Sequence, residues 1–209
     1  MFDTRYIFDL QESPNGDTSD KTGIGWGAGA YRGLGYRYVM PGVDAWVNAA
    51  GPDADPGFHC AGTGAPKFSY VSVDRGEDPD RLITGEFCDD TGDVGRVARW
   101  PLDAGTGRPV VDPADGHVHA TEAYRLAADQ IQGAVSVGGT WYLSRTNRRD
   151  GAGELITARA RASPTGSLEA NGTRPAGIGP EDLPYWPGQD RLWTVTEFAG
   201  RRMLYGVPR

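Results

Sequence analysis

The sequence has no run of about 18 apolar residues, so no helix of it is apolar enough to cross a bilayer. Positive charge is in short supply. Lys and Arg number 21 against 28 Asp and Glu, for a net charge of −7. An acidic balance argues against nucleic acid or an anionic membrane as partner, because both need a basic face. There are two cysteines, Cys60 and Cys88, and no CxxC spacing. Two thiols alone cannot build a tetrahedral metal site. They read as two buried or free thiols, or as one disulfide, which would imply an oxidising compartment. Histidine is scarce too, at three. No Gly-x-Ser-x-Gly elbow, phosphate-binding loop or HExxH is present. Helical pattern is almost lacking. Residues 120–129 (ATEAYRLAAD) read as a helix, or equally as an outer strand over 119–126.

What is abundant is glycine and proline, 31 and 15 residues. Both disfavour helix interiors, by about 1 and about 3 kcal/mol per residue. Without a collagen-like period, they mark many tight turns between short strands. The strands repeat. Segment 68–73 (FSYVSV) is followed by 82–87 (LITGEF) and 95–102 (GRVARWPL). Segment 132–137 (QGAVSV) is followed by 141–146 (WYLSRT) and 153–159 (GELITAR). Segment 182–186 (DLPYW) is followed by 192–197 (LWTVTE) and 201–207 (RRMLYGV). Each unit reads strand, turn, strand, turn, strand, rich in Val, Ile, Thr, Tyr and Trp. A period of about 50 residues with this content predicts an all-β fold, a partial β-propeller of about 3.5 to 4 antiparallel blades.

The whole chain, 1–209, then reads as one propeller-like domain. Its blades fall at 1–25 (an outer strand only, 4–10, TRYIFDL), 26–66, 67–128, 129–174 and 175–209. The polar loop 11–22 and the Gly/Pro/Ser-rich crossover 162–180 connect them. So few blades do not close a ring. The expectation is a truncated or mis-started product of a longer gene, or an arc whose open faces a second copy covers.

Several motifs resemble an actinobacterial family described as "secreted protein". They are 35–41 (GYRYVMP), 67–75 (KFSYVSVDR), 95–102, 132–135 (QGAV) and 181–186 (EDLPYW). Members of that family look like six- or seven-bladed propellers about twice as long, with a leading export signal. The resemblance covers the C-terminal half of such a protein and names no activity. It implies an extracellular site of action and a Cys60–Cys88 disulfide. The start of this chain, Met1 to Arg5, lacks the basic opening and apolar run of an export signal.

A propeller aims the starts of its inner strands at one channel mouth. Here those starts carry Lys67 and Ser69, Gln132, Glu181 and Asp182, with Arg32 the equivalent in the preceding unit. Such groups suit a small molecule or carbohydrate, a small organic acid or a cation. They equally cap strand ends. Glu181 and Asp182 are neighbours on a strand, so they point to opposite faces and make a poor catalytic dyad. Glu86 and Glu197 read as solvated strand-end charges. His117 and His119 share one strand face, with only Asp115 as a conceivable third ligand, so no metal site is assigned. Loops 15–20 (NGDTSD) and 112–116 (DPADG) are oxygen-rich enough for Ca²⁺, but Asx turns are the commoner use, and no cofactor is expected. Trp100, Trp141, Trp186 and Trp193 read as packing between blades. Trp26 and Trp46 are candidates to stack on a sugar ring. Asn171-Gly-Thr173 fits a glycosylation acceptor. The function expected is a propeller binding protein. The alternatives are a hydrolase or lyase of sugar or lactone substrates, and a fragment without function.

Overall fold

Short β-branched and aromatic segments between Gly, Pro and Asp turns favour strands, and strands are what form. The computed structural model describes residues 37–39, 68–75, 79–88, 94–114, 117–147, 152–161, 165–196, 200 and 202–209. Among these there are fourteen strands, one short 3-10 turn at Pro187–Gln189 and no α-helix. The strands are β1 (Arg37–Val39), β2 (Phe68–Asp74), β3 (Arg81–Glu86), β4 (Arg96–Pro101), β5 (His117–His119), β6 (Glu122–Arg125), β7 (Ile131–Val137), β8 (Thr140–Thr146), β9 (Gly153–Ala160), β10 (Thr165–Ala176), β11 (Pro180–Glu181), β12 (Tyr185–Trp186), β13 (Arg191–Thr196) and β14 (Leu204–Pro208).

Eight of them make one sheet in the order β2-β3-β4-β6-β10-β9-β8-β7. Every pairing in it is antiparallel except β6 with β10. The two halves fold onto each other, so β2 and β7, at opposite ends of the order, also touch. The Ser72 hydroxyl of β2 donates to the Ala134 carbonyl of β7. The sheet is therefore nearly closed, like a barrel, and is compatible with part of a propeller. A further sheet is built on β13, which pairs β11 and β12 along one edge and β14 along the other. We call β2-β3-β4-β6 the first unit, β7 to β10 the second, and β11 to β14 the third. β1 and β5 pair separately, in parallel.

Alternation along the strands gives each unit two faces. The leading face of the first unit (Tyr70, Ile83, Val97, Tyr124) packs on the trailing face of the second (Ala134, Trp141, Leu143, Ile156). The leading face of the second unit (Val135, Val137, Tyr142, Leu155) packs on the trailing face of the third (Leu183, Tyr185, Leu192). On the trailing face of the first unit, Leu82, Ala98 and Trp100 pack with Val118 and Ala120. The core thus lies in layers between units, where burial contributes about 25 cal/mol per Å² of apolar surface.

One open alternative is decided and one expectation changes. Of the two readings for residues 120–129, the outer strand is the one that forms: Glu122–Arg125 is β6 of the first unit. The crossover 162–180 contains the longest strand, β10. It shields the second unit by pairing β9 along its length and reaches β6 of the first. The repeat register also moves. Aligning QGAVSV on FSYVSV matches Val71 with Val135, yet these point to trailing and leading faces respectively. The inner strands β2 and β7 bulge at Ser69 and Gln132. Superposing the bulges shifts the match by one residue and restores the faces. The third inner strand breaks nearby, at Asp182 between β11 and β12.

Candidate functional site

Asp182 sits in the left-handed region, with φ of 51°. That conformation is uncommon for a non-glycine residue, and Asp tolerates it better than most. It turns the Asp182 backbone away from β13 and toward the second unit. The Asp182 N–H donates to the Gln132 carbonyl at 2.9 Å. The Asp182 carbonyl accepts from the Ser144 hydroxyl at 3.5 Å. Gly133 permits this approach, because a Cβ there would lie 2.4 Å from the Asp182 carbonyl carbon. Gln132 itself is half-buried and donates its side-chain amide to the Thr146 hydroxyl at 3.2 Å. Glu181 is half-buried, and its carbonyl accepts from the Thr194 hydroxyl at 2.8 Å.

The structure thus brings Gln132, Glu181 and Asp182 together at one end of adjacent units. Ser69 is the bulged residue of the neighbouring strand β2, and its side chain lies outside the described residues. Lys67 and Arg32 lie outside them as well, as do Trp26, Trp46, Asp115, Glu197 and the 15–20 loop.

The Asp182 carboxyl accepts the Leu183 N–H at 2.7 Å. That bond favours the charged form, but burial opposes it more strongly and raises the pKa to about 6. Tyr70 is the group nearest in electrostatic terms. Burial drives its phenol pKa well above the ordinary value, and the charges of Glu86 and Asp182 push the same way. The Tyr70 hydroxyl is buried and finds no hydrogen-bond partner among the described residues. It lies over Gly85, where a Cβ would meet it at 2.0 Å. Sequence reasoning missed Tyr70. Only the bulge register, which matches it with Gly133, places it in line with Asp182.

Glu86 corrects an expectation. It is not a solvated strand-end charge but is fully buried, and Arg96 binds it in bidentate fashion through Nε and Nη2. The Arg96 backbone N–H adds a third bond at 2.9 Å. Arg99 makes a second buried pair, 2.7 Å from Asp74, reaches Glu122 at 3.1 Å and lies over the Trp141 ring. Arg145 bridges Asp129 at 2.5 Å and Glu154 at 3.0 Å, close to Gln132 in sequence and register. Of the four repeat tryptophans, Trp100 and Trp141 are buried between units. Trp186 is 42% exposed and pairs with Trp193 on the leading face of the third unit, which none of the described units covers. Asp112 accepts the Ala114 N–H at 2.8 Å, an ordinary Asx turn. His119 is half-buried, and no three-residue metal cluster occurs among the described residues. Cys88 is buried and is not a free thiol, while Cys60 lies outside the described residues.

Chemically, the site offers one carboxyl able to hold or release a proton near neutral pH, beside amide and hydroxyl groups. No family model matches the chain, and no curated protein matches it either.

Proposed function

We propose that this chain forms about 3.5 to 4 blades of a larger β-propeller that binds a small polar ligand outside the cytoplasm. The ligand sits where the inner strands start. The observation that carries the reading is the hydrogen bond from Asp182 N–H to the Gln132 carbonyl, which joins two inner-strand starts beside a half-buried carboxyl. Gln132, Glu181 and Asp182 supply hydrogen-bonding groups, and Ser69, Lys67 and Arg32 extend the same ring by repeat position. Carbohydrates and small organic acids match such groups. The resemblance to secreted propellers supports the extracellular setting, and with it a Cys60–Cys88 disulfide.

A hydrolase or lyase is the second reading, favoured by the raised pKa of Asp182, which suits a general acid at neutral pH. Binding ranks first because Asp182 and its chain neighbour Glu181 make a poor catalytic dyad. A thermal-shift screen of mono- and oligosaccharides and small organic acids tests both. A ligand whose affinity falls at least about tenfold in Gln132→Ala and Asp182→Asn supports the reading, being a loss of about 1.4 kcal/mol. A ligand indifferent to both changes, or a screen without any hit, sinks it. Turnover of chromogenic glycosides or lactones that vanishes in Asp182→Asn would promote the enzyme reading.

A further inference from the structure

Asn171-Gly172 is one of two Asn-Gly pairs in the sequence, the other being Asn15-Gly16. An asparagine followed by glycine is open to attack by its own chain, because no side chain on the next residue shields the backbone nitrogen. Whether that chemistry runs in a folded protein depends on how the pair is held. Here it lies in β10, and the pairing of β10 with β9 slips at this point. Ala170 faces Ala158 and Gly172 faces Thr157, so Asn171 is the extra residue of a bulge, without a partner on β9. On its other side β10 pairs β6 only over Thr165 to Ser167. Residues 169–173 are all exposed. The Asn171 side chain therefore meets solvent at a break in the ladder. Packing favours the glycine that follows, since a Cβ at Gly172 would lie 2.6 Å from the Thr157 hydroxyl oxygen.

We propose that Asn171 is a site of spontaneous deamidation in the folded protein. The Gly172 backbone nitrogen attacks Cγ of Asn171 and gives up its proton to solvent base. The bond from Cγ to the side-chain nitrogen breaks, and ammonia leaves. The cyclic imide so formed takes up one water at either of its carbonyls. One opening leaves an aspartyl residue. The other leaves an isoaspartyl residue, whose backbone runs through Cβ and Cγ. Nothing is oxidised or reduced, and water is the only reagent consumed. Either product carries a negative charge at neutral pH where the amide had none. The isoaspartyl product also lengthens the backbone path of β10 by one carbon. It does so just ahead of the pairs Thr173 with Ile156, Arg174 with Leu155 and Ala176 with Gly153. Those pairs hold β10 along the second unit, so the modification loosens the strand that shields that unit.

The test is peptide mapping by mass spectrometry after incubating the whole chain at neutral and at alkaline pH. Gel filtration isolates the folded fraction before digestion. Asn147 serves as the internal comparison. It is half-buried, precedes an arginine, and donates its N–H to the Ala152 carbonyl at 2.9 Å. The peptide holding Asn171 is expected to gain about 1 Da at least about tenfold faster than the peptide holding Asn147. The rate is expected to rise with pH, because base frees the attacking nitrogen. Isoaspartyl and aspartyl forms are both expected, separated by chromatography and told apart by electron-transfer fragmentation. In Asn171→Gln the fast conversion is expected to be lost, and Asn171→Ser replaces that variant if it unfolds. Conversion no faster than at Asn147 overturns the proposal. So does conversion that runs in urea but not in the folded fraction, since the bulge then protects the pair. A product that is aspartyl alone overturns it as well, because direct hydrolysis and not ring closure would then be the route.

Discussion

Arg96 closes both ends of its guanidinium fork on the Glu86 carboxylate, and the two side chains are 1% and 0% exposed. The pair joins the end of β3 to the start of β4 at the edge of the first interlayer core. Removing one partner leaves the other charged in a place without water. Arg96→Met is expected to destabilise by about 3–5 kcal/mol, while Glu86→Leu with Arg96→Met together is expected to recover much of the loss. Urea unfolding of the two single variants and the double settles the point. A single variant within about 1 kcal/mol of wild type would contradict the buried pairing.

Asp182 carries a pH prediction. Its folded pKa of about 6 lies above the unfolded value of about 4. The folded state therefore binds its proton more tightly than the unfolded chain does. This contribution is complete below about pH 4, declines as pH rises, and is gone above about pH 6. Asp182→Asn keeps an acceptor for the Leu183 N–H but loses the titration. The stability of the variant relative to wild type is expected to grow by about 2 kcal/mol between pH 4 and 7. Chemical unfolding at several pH values measures it, and a flat difference would show that burial does not govern this carboxyl.

Gly133 is a point of close approach between the second and third units. In Gly133→Ala the new methyl meets the Asp182 backbone rather than a movable side-chain tip. A loss of about 1–3 kcal/mol is expected, as for other overpacked sites. Hydrogen exchange should localise the loosening to β11 and β12. Uniform protection, unchanged from wild type, would be the contrary result.

Trp141 touches Tyr124 edge-to-face at 5.8 Å and carries the Arg99 guanidinium 5.0 Å from its ring centroid. It is 2% exposed in the layer between the first two units. Trp141→Ala is expected to cost about 3–5 kcal/mol, chiefly through the cavity. Thermal unfolding would record it, and a change below about 1 kcal/mol would mean that layer is not a packed core.

Much of the strand content was legible because period-two alternation and turn residues are local properties. Segments such as 141–146 and 192–197 announced themselves as β8 and β13 in this way. The long strand β10 was hidden because its glycines, serine and proline read as a loop. Its edge pairing with β9, bulged at Ala170 to Gly172, is what makes it a strand. Gln132 and Asp182 were legible as inner-strand starts. Tyr70, Glu86 and Gly133 were not, because their roles depend on which neighbour lies across a layer. The one-residue slip between the first two inner strands shows the limit most clearly. Sequence similarity matched side-chain types, whereas the bulges at Ser69 and Gln132 fix which face each residue takes.

By itself the sequence determined the secondary-structure class and the repeat, since both follow from nearest-neighbour chemistry along the chain. Only the tertiary structure decided which charges are buried and paired, which of the described tryptophans are core and which are exposed, and why the pKa of Asp182 is raised. Each of those depends on how far a group sits from water, and that distance is set by residues remote in sequence.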